Sequence, residues 1–426
     1  MSKIDEMIKK LCPNGVEVKT LGELGDFYGG LTGKSKEDFK DGNAKFITYM
    51  NVYSNLKLNL DTDEKVKISD GEKQHTIEYG DILFTGSSET PDECGMSSVL
   101  CDKTNEKLYL NSFSFGFRFF DKELFEPEFT KYLFRSNELR KQLIKTASGV
   151  TRFNVSKERM KKVQIPIPPL EIQREIANIL DKFTELTAEL TAELTAELTA
   201  RKKQYEYYRD QLLSFNNVRG GLTFANPESV RWMTLGEICD MKAGKAIAAV
   251  EINAEQTKQF PYPCYGGNGV RGFVANSNQN GEFCLIGRQG ALCGNVCFAT
   301  GTFYATEHAV VVKNDARLNN RYLYHLLTAM NLNQYKSQGA QPGLAVGNLE
   351  KLSIPVPSIS VQQKIAEVLD NFDSICSDLQ IGLPAEIDAR KKQYEYYRDL
   401  LLSFEPIGTV LAKQASKQAS KQASKQ

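Results

Sequence analysis

Apolar residues recur at helical spacing along two long stretches of the chain. The first stripe runs from Ile176 to Leu212 in steps of three and four residues, with one longer gap. Adding 189 to each of its positions gives a second stripe, from Ile365 to Leu401, in which every residue is again apolar or aromatic. The pattern predicts two amphipathic helices of about 45 residues, each about 67 Å long at ~1.5 Å per residue.

The two stretches are copies of each other. Residues 201–215 read RKKQYEYYRDQLLSF and residues 390–404 read RKKQYEYYRDLLLSF, so 14 of 15 positions agree. Upstream, the segments 165–183 and 354–372 both open on a proline cluster and share 9 of 19 residues at the same offset of 189. The segments that precede the two copies are unlike each other. A chain that repeats its helices and varies its globular parts is organised to hold two different ligands or partners at a fixed separation.

A compact domain cannot bury so narrow an apolar stripe along the whole length of such a helix. The stripe requires a partner helix, and we predict that the two copies pair antiparallel as a coiled coil. The alternative is two unrelated amphipathic helices, each packed on its own domain. Helices that serve separate cores seldom need about 40 residues each, which favours the coiled coil.

The first helix contains a run of short repeats, TEL at 184–186 followed by three TAEL units over 187–198. Each unit adds four helical residues, hence about 6 Å of rise and about 40° of rotation beyond a full turn. The run therefore resembles a ruler that changes length in unit steps. In the second helix, Gly382 and Pro384 predict a kink or a break and restart.

The segments before each helix predict mixed, mostly β domains with short helices. In the first, FITYMNVY, VKIS, GDILFTG and SFSFGFRFF predict strands, and a helix is expected over 127–145. In the second, YGGNGVRGFV, GEFCLIG and FYATEHAVVV predict strands, with a helix over 321–334. The fold class is therefore α+β with a pseudo-two-fold internal repeat. We predict a first domain over 1–164, a long helix over 165–215, a second domain over 216–353, a second long helix over 354–404, and a disordered tail of repeated ASKQ over 405–426.

The duplicated RKKQYEYYRDxLLSF blocks, the IPxP helix starts and the TAEL run resemble the specificity subunit of type I restriction-modification enzymes. They are more closely similar to the type IC-like subfamily, in which the TAEL copy number varies. The resemblance covers nearly the whole chain, including KTLGEL at 19–24 and MTLGEI at 233–238, which open the two variable domains. It implies two target-recognition domains that each read half of a split DNA site, and paired helices that set the spacer. In that family, a change of one TAEL unit is associated with a spacer change of one base pair.

The resemblance also implies partners. These are double-stranded DNA with a split site, two methyltransferase subunits, and restriction/translocase subunits that dock on the helices. The sequence has no methyl-donor loop, helicase motif or nucleophile constellation, so we expect a non-catalytic subunit without cofactor or metal. Two other functions stay open. One is a coiled-coil scaffold that joins proteins without reading DNA, and the other is a self-sufficient methyltransferase or nuclease, which the missing motifs oppose.

Two pairs of loops carry the residues expected to contact DNA. Equivalent strands within 80–86 and 281–287 each end in a polar loop whose short donors suit base edges or phosphates, although an ordinary polar turn is the alternative. A second pair of loops, 148–154 and 338–344, comes just before the helices, a position that lies close to DNA in the family. The segment GGLTGKS lacks one glycine of a nucleotide-binding loop, but its lysines remain candidates for phosphate contact. The predicted DNA contacts are Lys34, Lys36, Thr85, Ser87, Ser88, Thr151, Arg152, Asn154, Arg288, Gln289 and Gln341.

The duplicated YEYYRD blocks are the candidate docking sites for partner subunits. Tyrosine is an efficient interface anchor, and identity between the copies fits two equivalent partner sites around a pseudo-two-fold axis. The alternative is that these rings only close the coiled coil. The predicted docking residues are Tyr205, Tyr207, Tyr208, Tyr394, Tyr396 and Tyr397.

Charge and composition qualify this picture. Lys plus Arg and Asp plus Glu each number 53, whereas a chain that grips DNA alone has a basic excess, so partners are expected to supply part of the affinity. A run over 140–162 with eight basic residues and one acid is a candidate phosphate-facing surface, or else a solvated face. The chain has no membrane-length apolar run or signal peptide, and its nine scattered cysteines fit reduced thiols. We therefore expect a cytoplasmic protein.

Overall fold

The computed structural model describes residues 3–215, 230–290, 292–337, 343–377, 382–407 and 409–410. Contacts divide the chain into two compact units, which we call unit 1 (Met1–Thr191 with Ala389–Gln426) and unit 2 (Ala192–Asp388). Each unit contains one variable domain and parts of both repeated stretches. The predicted ASKQ tail lies outside the described residues from 411 onward, as do residues 216–229 at the start of the predicted second domain.

Unit 1 holds the first variable domain and the start of the first long helix. Its helices are α1 (Lys3–Leu11), α2 (Leu21–Leu24), α3 (Tyr49–Ser54), α4 (Pro127–Leu133), α5 (Asn137–Ile144), α6 (Lys157–Met160) and the beginning of α7 (Leu170–Leu213), with 3₁₀ turns at Lys36–Phe39 and Pro91–Glu93. Its strands are β1 (Glu17–Thr20), β2 (Gly25–Gly29), β3 (Ala44–Ile47), β4 (Lys65–Val66), β5 (Thr76–Ile77), β6 (Ile82–Thr85), β7 (Ser87–Ser88), β8 (Ser97–Val99), β9 (Leu108–Leu110), β10 (Ser114–Phe119), β11 (Ala147–Gly149), β12 (Phe153–Val155) and β13 (Gln164–Ile167).

Two four-stranded sheets form the body of this domain. The first has the antiparallel order β2-β10-β6-β8, and the second has the order β4-β3-β9-β5, in which β3 and β9 run parallel. Strand β1 pairs with β13 immediately before the long helix. Buried Phe84 and Phe117 of the first sheet belong to the same core cluster as Ile176 and Leu180 of α7. The first turns of the long helix are therefore part of the domain core.

Unit 2 holds the second variable domain, the rest of α7 and most of the second copy. Its other helices are α8 (Leu235–Ile238), α9 (Asn320–Ala329), α10 (Val346–Leu349), α11 (Ile359–Ser377) and the beginning of α12 (Leu383–Leu401), with 3₁₀ turns at Ala249–Glu251 and Leu332–Tyr335. Its strands are β14 (Arg231–Thr234), β15 (Cys239–Ala243), β16 (Tyr262–Gly266), β17 (Gly269–Val274), β18 (Gln279–Asn280), β19 (Phe283–Gly287), β20 (Val296–Ala299), β21 (Thr302–Ala305), β22 (Ala309–Asn314) and β23 (Ser353–Val356).

The two domains repeat one topology although their sequences differ. The sheet β15-β22-β19-β20 corresponds to β2-β10-β6-β8, and β17-β16-β21-β18 again contains one parallel pair, β16 with β21. Strand β14 pairs with β23 as β1 pairs with β13. Both domains begin with a capping box, in which Glu23 accepts from the Thr20 amide at 2.7 Å and Glu237 accepts from the Thr234 amide at 2.6 Å. The predicted α+β class with an internal repeat is confirmed.

Three predicted elements differ from the observed ones. The segment FITYMNVY is not one strand, because the Thr48 hydroxyl accepts from the Asn51 amide at 3.2 Å and starts helix α3. The helix predicted over 127–145 is two helices, α4 and α5, since Ser136 caps the second one. The helix predicted over 321–334 ends at Ala329 and is followed by a 3₁₀ turn.

The first repeated stretch forms one helix of 44 residues that runs through the TAEL units without interruption. The second stretch forms two helices, α11 and α12, and Gly382, directly before α12, is not helical. The stripe position Leu379 lies outside the described residues. This interruption agrees with the break predicted at Gly382 and Pro384. Several stripe positions are exposed, among them Leu186 at 61% and Ile375 at 44%, so the stripe is not buried along its full length.

The long helices pair through equivalent aromatic contacts in the two units. In unit 1, Phe183 of α7 stacks on Tyr397 of α12 with ring centroids 6.0 Å apart. In unit 2, Phe372 of α11 stacks on Tyr208 of α7 with ring centroids 5.7 Å apart. Because 183 + 189 = 372 and 208 + 189 = 397, this is one contact made twice with the helices exchanging roles. Such an exchange is the signature of antiparallel pairing between the two copies.

Candidate nucleic-acid interface

A cleft of about 950 Å³ opens in unit 1 where the loop after β6 meets the segment 148–154. Short strands bring these two predicted loops together, because β7 pairs with β12 and places Ser87 opposite Asn154. The residues that line the cleft are Tyr49, Met50, Tyr53, Ser87, Ser88, Glu89, Thr90, Glu93, Phe113, Val150, Thr151 and Arg152. Four of these, Ser87, Ser88, Thr151 and Arg152, are among the residues that the sequence proposes as DNA contacts.

The guanidinium of Arg152 lies at the cleft wall and is oriented by Ser87. Its Nε and Nη2 atoms donate to the Ser87 hydroxyl at 3.1 and 3.0 Å. The backbone carbonyl of Ser87 accepts in turn from the Tyr49 hydroxyl at 2.9 Å. These bonds use two of the five N–H donors of the guanidinium, and a group of this kind suits the acceptor edge of guanine or a phosphate.

A carboxylate is held in the same cleft. The Glu93 oxygens accept from the Tyr53 hydroxyl at 2.9 Å and from the Ser88 hydroxyl at 2.8 Å. Hydrogen bonds from Ser88 and Tyr53 keep the pKa of the Glu93 carboxyl below its usual range, so the group is ionised at neutral pH. An ionised carboxylate repels phosphate but accepts from the exocyclic amino group of cytosine. The cleft therefore presents both a fixed donor and a fixed acceptor.

Large apolar side chains stand exposed around this polar centre. Met50 is 59% exposed, Phe113 is 61% exposed and Val150 is 90% exposed. Apolar groups beside fixed donors and acceptors match the major-groove edge of a base pair, where thymine presents a methyl group. The cleft thus places a hydrogen-bond donor, an acceptor and apolar groups side by side.

Two of the predicted DNA contacts are engaged inside the protein and are withdrawn. Thr85 is fully buried, and its hydroxyl accepts from the Met96 amide at 2.9 Å. The Lys34 ammonium lies 2.6 Å from a Glu72 carboxylate oxygen and donates to the Lys67 carbonyl at 2.6 Å. Lys36, at the start of a 3₁₀ turn, is exposed.

The basic run over 140–162 is not a uniform phosphate-facing surface. Arg140 donates to the backbone carbonyls of Asp92, Cys94 and Gly95 at 2.7, 2.8 and 2.6 Å. Burial lowers the pKa of this guanidinium, whose N–H groups donate to backbone carbonyls of the protein. Arg140 therefore supports the turn that carries Glu93 into the cleft.

In unit 2 the corresponding loop follows β19 and contains Arg288 and Gln289. Gln289 is exposed and its backbone bridges to Gly343, while the Leu344 amide donates to the Arg288 carbonyl at 2.8 Å. The loop after the strand again lies beside the segment that precedes the long helix. In the described ranges of the chain, Arg288 Nε is buried without a hydrogen-bond partner. The predicted contact Gln341 lies outside the described residues.

The six candidate docking tyrosines divide into two groups. Tyr208 and Tyr397 form the stacked pairs between the long helices, and the Tyr394 hydroxyl lies 2.9 Å from the Thr184 hydroxyl. The Tyr205 hydroxyl lies 3.1 Å from His325 Nδ1. Those four residues serve the internal packing of their units. Tyr207 and Tyr396, in contrast, are 61% and 64% exposed, and each ring makes a T-shaped contact with its neighbour, Tyr208 or Tyr397.

The described part of the chain offers neither a metal cluster nor a membrane segment. No three His, Cys, Asp or Glu side chains are grouped there to hold a metal ion. None of the described helices combines the length and apolar character that spanning a lipid bilayer requires. All nine cysteines are free thiols.

Comparison with known protein families decides the family of the chain. The family profile described as "Type I restriction modification DNA specificity domain" matches residues 13–200 and 227–389, which include both repeated helix starts. The chain belongs to this family.

Individual relatives of this specificity-domain chain agree. It is similar to the type I restriction enzyme EcoprrI specificity subunit of Escherichia coli, with 53% identity over 235 residues, which are 53% of this chain and 56% of that protein. It is also similar to the EcoR124I/EcoR124II specificity subunit of Escherichia coli, with 35% identity over 283 residues, covering 60% of this chain and 66% of that protein. The chain thus spans little more than half the length of the first of these relatives.

The fold of the specificity-domain chain has a solved counterpart. A chain from work on complex assembly and conformational transition of the type I R-M system superposes with a TM-score of 0.65. The alignment covers 91% of this chain and 97% of that chain at 17% identity, so the likeness concerns the fold.

Sequence reasoning missed several residues of the cleft in the specificity-domain chain. Tyr49, Met50 and Tyr53 lie on helix α3, in a segment whose apolar pattern predicted a strand. The available signal was Thr48, a residue that favours helix starts, directly before this segment. Phe113 and Glu93 carry no comparable signal, because only the folded sheet brings them to the cleft.

Replacing Arg140 tests its assignment as a support of the cleft. Arg140→Met removes three bonds from a buried guanidinium, and we expect unfolding to become easier by about 2–3 kcal/mol. Lys141→Met is the matched control, because the neighbouring Lys141 side chain is 67% exposed and should change stability by under about 0.5 kcal/mol. Thermal unfolding of the two variants measures the difference. If both variants shift the unfolding temperature equally and only slightly, Arg140 does not support the cleft and is again a candidate for phosphate contact.

Proposed function

We propose that this chain is the non-catalytic DNA-recognition subunit of a type I restriction-modification complex. Each unit reads one half of a split double-stranded site, and the paired helices set the spacer and dock methyltransferase and restriction subunits. The observation that carries the proposal is the cleft of unit 1, in which two loops expected to contact DNA converge on Arg152 and Glu93. Membership of the specificity-domain family supports the same function.

The equal numbers of acidic and basic residues, 53 each, bear on how such a subunit would bind DNA. Affinity for a duplex comes mostly from neutralised phosphates, whereas sequence is read at base edges. A cleft with one guanidinium and one carboxylate serves the second task better than the first. The chain would therefore read bases while partner subunits close around the backbone. Its site of action would be the cytoplasm, as for a protein that acts on the DNA of a bacterial cell.

Reconstitution with a methyltransferase subunit tests this function against the scaffold alternative. The pure chain mixed with S-adenosylmethionine and DNA should transfer no methyl groups. Addition of a methyltransferase subunit should produce methylation at one bipartite motif, read by sequencing of the modified DNA. Methylation by the pure chain, or a reconstituted complex without a bipartite motif, would contradict the proposal.

We propose that Tyr207 and Tyr396 dock partner subunits. They occupy equivalent positions in the two copies, since 207 + 189 = 396, and both are largely exposed. Large exposed aromatic rings at equivalent positions fit two equivalent partners, here two methyltransferase subunits.

Substitution of both rings separates docking from packing. The double variant Tyr207→Ala, Tyr396→Ala should weaken co-purification with the methyltransferase at least about tenfold, because exposed aromatic anchors are worth roughly 1–2 kcal/mol or more. Its melting temperature should stay close to that of the parent chain, because the T-shaped contacts that it loses belong to largely exposed rings. Tyr208→Ala, Tyr397→Ala is the contrasting pair and should lower the melting temperature, because it removes both stacked contacts. If the first variant assembles with the methyltransferase as well as the parent chain does, Tyr207 and Tyr396 do not dock partners and serve only the coiled coil.

The TAEL run is proposed to be the ruler of the spacer, as in the TAEL-repeat subfamily. Helix α7 continues through 184–198, so each TAEL repeat contributes its full helical rise and rotation. Removing four residues shifts one domain by about 40° about the helix axis, near the ~34–36° that one base pair turns in B-form DNA.

Deleting 191–194 should shorten the spacer by one base pair and keep both half-site sequences. Deleting only two residues rotates the helix by about 200°, places the stripe on the wrong face and should abolish methylation. Sequencing of methylated genomic DNA from cells with each variant provides the measurement. Changed half-site bases, or an unchanged spacer after the four-residue deletion, would show that this helix does not set the spacing.

A further inference from the structure

A buried glutamine attaches the first domain to its long helix. Gln173, in the first turn of α7, has no exposed surface. Its side-chain amide donates to the carbonyls of Pro168 and Leu124 at 2.7 and 3.1 Å. Its carbonyl oxygen accepts from the Glu126 amide at 2.9 Å. Both donors and the acceptor of the amide are therefore satisfied, and all three partners are backbone atoms.

The same attachment occurs in unit 2. Gln362, which is the counterpart of Gln173 because 173 + 189 = 362, is also fully buried. Its amide donates to the carbonyls of Pro357 and Arg317 at 2.8 and 2.9 Å, and its oxygen accepts from the Asn319 amide at 2.7 Å. In both units the bonds join the turn before the long helix to the residue that caps a domain helix, α4 or α9.

A second attachment lies two helical turns further along in each unit. Asp181 accepts from the Tyr132 hydroxyl and the Lys131 ammonium, both at 2.7 Å. Its counterpart Asp370 lies 2.6 Å from His325 Nε2 and accepts from Arg321 Nε at 2.9 Å. The spacing is the same in both copies, since 181 − 173 = 8 and 370 − 362 = 8. Eight helical residues span about 12 Å, and two attachments so far apart fix rotation as well as distance.

The two attachments differ in what they demand of the domain. The aspartates use side-chain partners, which differ between the units. The glutamines use backbone partners alone, so domains of unrelated sequence can be held in one pose. A hydrogen bond to the backbone does not depend on the side chains of the domain, and therefore does not depend on the bases that those side chains contact. It constrains only how the domain is turned on the helix.

We propose that Gln173 and Gln362 are positioning residues that fix the rotation of each domain about its long helix and thereby determine spacer discrimination. The inference rests on the proposed function and adds the means by which helix rotation reaches the reading loops. Removal of either glutamine leaves the aspartate attachment of that domain in place but fixes its rotation about the long helix less tightly. Several spacer lengths then become acceptable, while the bases of each half-site stay the same.

The test uses Gln362→Met, which keeps the length of the side chain and removes its hydrogen bonds. Two controls accompany it: Gln363→Met, the same substitution at the exposed neighbour, and Val310→Ala, a core substitution in the same unit. The full chain with its methyltransferase partner is given a DNA library in which the two half-sites are fixed and the spacer varies by single base pairs. The ratio of methylation at the preferred spacer to that at its neighbours is measured.

We expect Gln362→Met to lower this ratio at least tenfold, and Gln363→Met and Val310→Ala to leave it unchanged. An equal loss of methylation at all spacers is the result expected for the control Val310→Ala. The same result for Gln362→Met would overturn the inference. A wild-type complex without any bipartite preference would instead overturn the proposed function and this inference with it.

Two further measurements keep the inference open to refutation if one variant assembles poorly. Gln173→Met makes the same test in the other unit and should relax the spacer equally. In the free chain, amide exchange at Asn319 should accelerate in Gln362→Met and stay unchanged in Gln363→Met. Unchanged exchange at Asn319 together with an unchanged spacer ratio in Gln173→Met would refute the role of the glutamines.

Discussion

The need to bury a narrow apolar stripe along a helix of 44 residues governs this structure. No single domain can cover such a stripe, and the chain meets the need by duplication: each copy packs against the other. The stacked pairs Phe183 with Tyr397 and Phe372 with Tyr208 are the visible result. Because the pairing is antiparallel, equivalent positions of the two copies make the same contact, with the helices exchanging roles. Two variable domains can thus be mounted on equivalent frames without matching each other in sequence.

The frame and the reading surface obey different physical requirements. The frame consists of strand pairs, capping boxes and buried glutamines, which depend on backbone hydrogen bonds and repeat in both units. The cleft of unit 1 depends on individual side chains, such as Arg152 held by Ser87 and Glu93 held by Tyr53. A substitution in the cleft can therefore alter the chemistry presented to a ligand while the frame stays intact. This separation suits the proposed function, because the bases that a unit reads could change without a change in how its domain is held.

The repeated features were the predictable part of the structure. Helical periodicity and an identical offset predicted both long helices and their pairing, and Gly382 with Pro384 predicted the interruption in the second copy. The loop at 85–90 was predictable from polar residues that follow a strand, and the segment 148–154 was proposed from its position before the long helix in the family that the sequence resembles. The burial of Thr85 and the Lys34–Glu72 pair were not predictable, because each depends on a partner far along the chain. Helix α3 was missed because one capping threonine outweighed a strand-like apolar pattern.

The central claim is that two equivalent frames each carry one reading domain. The most direct measurement replaces residues 235–352 by a second copy of residues 21–163. These junctions are matched, because the amides of Leu21 and Leu235 donate to the carbonyls of Val163 and Leu352 at the same distance of 2.9 Å. Methylated motifs of the resulting complex should be an inverted repeat of the first half-site with the original spacer. A direct repeat, or the original asymmetric motif, would contradict the account.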